Sequence, residues 1–239
     1  ELIKEKRLPY SEEEFDSELQ KWEDESFSAV HHSDTFRESY SPAYRVIAKK
    51  YVPFLPLFSE IDKHSEKERL VLAIDGSAAS GKSTLAKILE EIYPCTVFHM
   101  DDFFLRPEQR TPERYNEAGG NVDRERFLSE VLIPLSKGCD IDYVRFDCQS
   151  FTLCPPERIT PKRLVIIEGS YSMHPALSDF YDLSVYLDVS PALQRKRISK
   201  RNSKQMQERF FNEWIPLEAV YFEKMNVRQR CDLIIPITE

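Results

Sequence analysis

Glycine is scarce in this chain, with six among 239 residues. A chain so poor in glycine keeps it where backbone freedom or close approach is required. Gly76 and Gly81 bracket one loop, and Gly119-Gly120 marks another. Gly138 ends a predicted helix, and Gly169 follows an apolar run. Long apolar runs are missing too. None approaches the roughly 18 residues a membrane helix needs, and Glu1-Leu2-Ile3-Lys4 opens without an apolar signal core. The cysteines, Cys95, Cys139, Cys148, Cys154 and Cys231, are odd in number and none are paired at C-x-x-C spacing. That argues against a zinc site or a disulfide framework and fits reduced thiols in a cytoplasmic protein. The formal net charge of -8 argues against whole-surface attraction to nucleic acid or to an anionic membrane.

What is present supports a packed core: 41% of the residues are hydrophobic and 12% aromatic, which excludes global disorder. Residues 1–66 read as a mainly helical extension. Ser11-Glu12-Glu13-Glu14 has the pattern of a capping box, and Phe15, Leu19 and Trp22 follow at helical spacing. A second helix is expected over Tyr40–Tyr51, broken by Pro53 and Pro56. His31-His32 reads as a solvated pair, because no further ligand has metal-site spacing.

From residue 67 to 239 short apolar runs alternate with helical stretches. Strands are expected at Leu70–Ile74, Thr96–Met100, Leu164–Ile167, Leu183–Leu187 and Leu233–Ile237. Helices are expected at Ser83–Tyr93, Arg124–Leu135, Pro191–Lys200 and Met206–Lys224. The alternation predicts an α/β domain with a mostly parallel five-stranded sheet and helices on both faces.

Gly76-Ser77-Ala78-Ala79-Ser80-Gly81-Lys82-Ser83 matches G-x-x-x-x-G-K-[ST], and it sits between a strand and a helix, the context that gives this motif meaning. Backbone N–H groups turned inward and the positive end of a helix cradle phosphates. The expected nucleotide site is therefore Gly76 to Thr84, a P-loop for ATP or another nucleoside triphosphate. Lys82 should reach the β/γ-phosphates, and the Ser83 hydroxyl should ligate Mg²⁺. The guanine-reading N-K-x-D and the L-S-G-G-Q of transport ATPases are absent, and the chain is too short for a motor. A small-molecule kinase remains.

Asp101 and Asp102 follow the second strand. In open α/β sheets ligands gather at the carboxyl ends of strands, where a carboxylate can take the proton of an attacking hydroxyl. Asp101 is the first choice for that base and Asp102 the second. Leu164–Ile167 runs into Glu168, a Walker B arrangement in which the acid holds the metal directly or through water. Arg195–Arg201 is the densest basic stretch. Arg197 and Arg201 lie one helical turn apart and are candidates to close over the transferred phosphoryl group; a solvated basic face is the competing reading.

In order, the P-loop, the Asp101-Asp102-Phe103-Phe104 turn, Asn121-Val122-Asp123, Glu168-Gly169, the basic lid and Cys231-Asp232-Leu233-Ile234-Ile235-Pro236 resemble the uridine kinase/phosphoribulokinase family over residues 70–239. The resemblance implies a P-loop NTPase fold and phosphoryl transfer. It makes Asp101 the catalytic aspartate, puts Asp123 on the ribose hydroxyls of a nucleoside, and makes Arg197 and Arg201 lid arginines. It puts Phe146 and Asp147 where uridine kinases carry a Tyr-Asp pair lining the nucleoside pocket. Two features depart from the pattern. Phe146 replaces the tyrosine, and the stretch Cys148–Leu153 lacks the histidine that contacts the pyrimidine. Uridine or cytidine is the leading acceptor; another small alcohol or a sugar phosphate is the alternative, with Arg124 and Arg126 as cations near Asp123. A nucleotide-binding regulatory module without transferase activity is a further alternative. A homo-oligomer is a possible state.

Overall fold

Strands that are apolar on both sides require a cover on both sheet faces, and the chain supplies one. The computed structural model describes residues 3, 11–26, 33–40 and 47–238, in two units, Glu1–Ile47 and Ala48–Glu239. The fold is the α/β arrangement expected, built on a five-stranded sheet.

In the first unit α1 spans Glu12–Asp24 and α2 spans Asp34–Tyr40. Ser11 caps α1 as its sequence predicts. The Ser11 Oγ accepts the Glu14 N–H at 3.1 Å and the Glu14 carboxylate accepts the Ser11 N–H at 2.8 Å. His31-His32 and much of the helix expected over Tyr40–Tyr51 lie outside the described residues.

The second unit begins earlier than the expected boundary between residues 66 and 67. A 3-10 turn at Lys49–Phe54 leads into α3, Leu55–Lys63. Pro56 occupies the first turn of α3, where its missing N–H is not needed, so it starts a helix instead of ending one. Phe54, Leu57 and Ile61 are buried among core residues of the sheet, which is why this segment belongs with the unit that follows it.

The sheet comprises β1 (Leu70–Gly76), β2 (Cys95–His99), β7 (Leu164–Glu168), β8 (Leu183–Val189) and β9 (Leu233–Ile237) in the order β2-β7-β1-β8-β9. All four pairings are parallel. Side chains alternate along β1. Leu70, Leu72 and Ile74 enter one core layer, while Val71 and Ala73 enter the other. α4, Lys82–Ile92, follows β1 directly. Two small antiparallel pairs lie between β2 and β7 in sequence. They are β3 (Ile141–Tyr143) with β6 (Glu157–Ile159), and β4 (Phe146–Asp147) with β5 (Thr152–Leu153). Strands of two or three residues carry too little periodicity to be read from sequence.

Two expected long helices are interrupted. The one over Arg124–Leu135 divides into α6 (Arg124–Phe127), a wide π-type turn at Leu128–Leu132 and α7 (Ile133–Ser136), preceded by the short α5 (Pro112–Asn116). The one over Met206–Lys224 divides into α10 (Lys204–Arg209), a π-type turn at Phe210–Trp214 and α11 (Ile215–Lys224). Pro134 and Pro216 open the second segments; each lacks the N–H an unbroken helix would use. Short α8 (Pro175–Ser178), α9 (Pro191–Arg201) and α12 (Val227–Arg230) complete the unit.

Ile61→Ala should lower unfolding stability by about 2–5 kcal/mol, the range for truncating a fully buried Ile. Urea denaturation of the full chain measures it, and an unchanged midpoint would show that α3 is not part of this core.

Candidate active site

The site forms at the carboxyl ends of β1, β2 and β7, where the sheet order puts the three strands side by side. β1 ends at Gly76, whose φ of 147° favours glycine, and a Cβ there would lie 2.7 Å from the Leu187 carbonyl oxygen. The loop then turns through Ala79 at φ 60° and Gly81 at φ 107° before α4 begins. The Lys82 ammonium donates to the carbonyls of Gly76 (2.7 Å) and Ser77 (3.1 Å) and to Ser170 Oγ (3.2 Å).

Buried side chains hold this loop on several sides. Asp75 is fully buried. It accepts the N–H groups of Gly76 (2.7 Å) and Met173 (2.9 Å) and the Tyr221 hydroxyl (2.8 Å). One turn earlier on α11, Glu218 accepts the Ala78 N–H at 2.8 Å and the Ser170 hydroxyl at 2.6 Å. Burial raises the pKa of both carboxyls, against the hydrogen bonds and the Lys82 charge. From α9, Gln194 Nε2 donates to the Ala78 carbonyl (3.0 Å), and Arg197 donates to the carbonyls of Ala79 (3.0 Å) and Ser80 (3.2 Å). Arg201 does not join it there: its guanidinium lies over the Phe210 ring, 5.7 Å from the centroid. The helical turn that brings two arginines to one face still separates their heads.

The Ser83 hydroxyl donates to Glu168 Oε1 at 3.0 Å, and His99 Nδ1 lies 2.6 Å from the same oxygen. Burial pushes the Glu168 carboxyl up, but the His99 hydrogen bond and the charges of His99 and Lys82 outweigh it and hold the pKa low. The Glu168 bond raises His99 in turn. A hydroxyl and an ionised carboxylate converging at the head of the loop helix form a hard-oxygen donor pair, which fits Mg²⁺. Among the described residues no group of three or more His, Cys, Asp or Glu side chains could enclose a metal.

The two aspartates after β2 differ. Asp102 accepts the Tyr143 hydroxyl at 2.6 Å. The Asp101 carboxyl makes no hydrogen bond among the described residues. Protein atoms crowd it although it reaches solvent, and that desolvation raises its pKa, with Lys82 opposing and Glu168 adding repulsion.

Asp123 is buried and engaged. It caps α6 by accepting the Arg126 N–H (3.2 Å), and it accepts Gln109 Nε2 at 2.8 Å. Asp147 closes the β4–β5 turn through the Gln149 N–H (2.8 Å) and the Ser150 hydroxyl (2.7 Å). The Phe146 side chain is buried. Asp123 and Asp147 are thus committed to local caps, a role Asp readily takes where backbone N–H groups lack partners. Asp75, His99, Tyr143, Ser170, Gln194 and Glu218 also reach the site, none of them a candidate from its sequence pattern. Asp75 and Glu218 do carry a signal, since each is an acid set among apolar neighbours, Leu-Ala-Ile-Asp and Pro-Leu-Glu-Ala-Val.

No protein-family model matches the chain. It is similar to uridine kinase-like protein 3 of Arabidopsis thaliana, at 25% identity over 61% of this chain and 33% of that one. It is also similar to the pantothenate kinase of Cutibacterium acnes, at 28% identity over 56% of this chain and 49% of that one. A third relative is the chloroplastic phosphoribulokinase of Spinacia oleracea, at 25% identity over 53% and 37%. The matched region therefore spans less than half the length of these relatives. Among solved structures, one from Bacillus stearothermophilus described as a possible uridine kinase superposes with a TM-score of 0.61 at 22% identity. The alignment covers 79% of this chain and all (100%) of that one, which shows the shared fold. The resemblance carried by the motifs is borne out: the homologues are P-loop kinases of the uridine kinase, phosphoribulokinase and pantothenate kinase group.

Glu218→Ala should strand the Ala78 N–H beneath the loop, leave the Ser170 hydroxyl to donate only to the Gly76 carbonyl at 3.1 Å, and cost about 1–3 kcal/mol, the penalty for a buried group left unpaired. Glu218→Gln retains an acceptor and should cost less. Comparing their urea midpoints tests this, and equal midpoints for wild type and Glu218→Ala would remove Glu218 from the loop's support.

Proposed function

We propose that this chain transfers the γ-phosphoryl group of ATP to a hydroxyl of a small molecule, with a nucleoside such as uridine or cytidine as the leading acceptor. The observation that carries this reading is Asp101. It is a crowded carboxyl of raised pKa with no hydrogen bond among the described residues, and it stands within the fields of Lys82, Glu168 and His99. A carboxylate so placed is free to take a proton, and its raised pKa makes it a better acceptor of one. Asp102, held by Tyr143, is the poorer base.

In this reading the loop from Gly76 to Thr84 cradles the triphosphate with the N–H groups that Asp75 and Glu218 leave free. Lys82 exchanges its loop carbonyls for phosphate oxygens, which match its charge better than neutral carbonyls do. Ser83 and Glu168 would hold a magnesium ion, which neutralises phosphate charge when bound. Asp101 orients the acceptor hydroxyl and removes its proton. Arg197, already on the loop, and Arg201, across from Phe210, are the cations available to offset charge spreading on the transferred group. Phe146, Asp102, Asp123 and Asp147 border the acceptor side, the last two shaping it through their caps. The free thiols among the described residues accord with a cytoplasmic setting.

Lys82→Ala should abolish turnover with the fold intact by circular dichroism; full activity would end the assignment. Asp101→Asn should lower the rate by about 10²–10⁴-fold with MgATP binding retained in a titration. An undiminished rate would transfer the role of base to Asp102. The acceptor is sought by following ADP release with MgATP and candidate alcohols, uridine and cytidine first.

A further inference from the structure

Arg110 differs from Arg114, Arg124 and Arg126, its neighbours around the acceptor side. Arg124 and Arg126, the cations the sequence offers near Asp123, are already spent. Arg124 binds Glu117 at 2.6 Å, and Arg126 donates to Glu130 (3.2 Å) and to the carbonyls of Val144 (2.6 Å) and Asp102 (3.0 Å). Arg114 binds Glu125 at 2.6 Å. Arg110 uses only its Nε, which donates to the Leu105 carbonyl at 2.9 Å. Its terminal nitrogens have no partner among the described residues, yet the side chain is half-buried.

Two rings flank it. The guanidinium lies 5.2 Å from the Phe151 centroid and 6.0 Å from that of Phe146. Phe151 adopts φ 58°, a left-handed conformation unfavourable for a bulky residue, and the residue remains 49% exposed. Core burial does not offset that strain; what the ring gains is its packing on Arg110. The place is the acceptor side of the site. Gln109, next in sequence, holds Asp123, and the nearby Cys148 thiol, raised by burial, also feels Arg110, Asp101, Asp147 and Asp102. By geometry Arg110 adjoins Phe146 and, through Gln109, Asp123, two residues read above as bordering the acceptor.

A guanidinium donates and never accepts. With Nε engaged, the two terminal nitrogens form a fork that matches a ligand offering two adjacent lone pairs. Cytosine offers such a pair, N3 beside O2. So do a carboxylate and a phosphate. Uracil does not, because its N3–H donor stands between its two carbonyl oxygens and would face a donor. We infer that Arg110 selects the acceptor by an adjacent pair of lone-pair atoms, and so favours cytidine or an anionic alcohol over uridine. This rests on the kinase reading above and narrows its acceptor.

The test compares kcat/KM with MgATP for cytidine, uridine, pantothenate and a pentose phosphate, in wild type and in Arg110→Gln and Arg110→Lys. At least one paired-acceptor substrate should exceed uridine by about tenfold or more, the worth of a hydrogen bond to a charged group. Both variants should bring that ratio towards one, since lysine keeps the charge but lacks the fork. A folding defect would lower all four acceptors together and leave the ratio intact. Cytidine in the lead identifies the base edge as the source of the pair; pantothenate or the pentose phosphate in the lead identifies an anion. Uridine in the lead, or a ratio preserved in either variant, overturns the inference and leaves the kinase reading standing. If none of the four raises ADP release above ATP alone, the kinase reading fails for these acceptors and the inference fails with it.

Discussion

The turn from β1 into α4 depends on hydrogen bonds supplied from beneath it by buried carboxylates. A loop that turns its N–H groups towards a triphosphate cannot satisfy all of its own polar groups. Asp75 takes the Gly76 N–H, and Glu218 takes that of Ala78. On the outer side Gln194 and Arg197 bind the loop carbonyls. Buried acids are costly unless fully bonded, and here every carboxylate oxygen of the pair has a donor.

That support ties distant parts of the chain to one loop. Glu218 and Tyr221 lie three residues apart on α11 and so share a face; both reach the base of the P-loop. α11 follows the π-type turn at Phe210–Trp214, and α9 carries the basic stretch. α9 and α11 therefore both grip the loop that would hold the phosphates. Opposite them, β2 brings His99, Asp101 and Asp102, and β7 brings Glu168, because these strands are neighbours in the sheet. A close contact seals that seam. A Cβ on Gly169, at φ 143°, would lie 2.6 Å from Met100 Cβ, so the backbones after β7 and β2 approach closely only because residue 169 is glycine.

The main strands were legible because each is a run of apolar residues bounded by polar ones, and the P-loop because its spacing is tied to backbone geometry. The breaks at Leu128–Leu132 and Phe210–Trp214 were not. Helical periodicity continues across a π-type turn, and only the prolines at 134 and 216 hint at the interruption. The roles open to Asp123 and Asp147 were also hidden, since an aspartate reads the same whether it caps a helix or faces a ligand.

By itself the sequence determined the phosphate-binding loop, the order of the five main strands along the chain and the acids that end two of them, because these are local patterns of spacing and hydrophobicity. The tertiary structure alone decided which charges are spent and which are free. Arg124 and Arg126 look as available in the sequence as Arg110, yet folding pairs the first two with Glu117 and Glu130 and leaves the third stacked on phenyl rings. Partnership of charges depends on distance in space, and a single line of residues does not encode it in any short pattern.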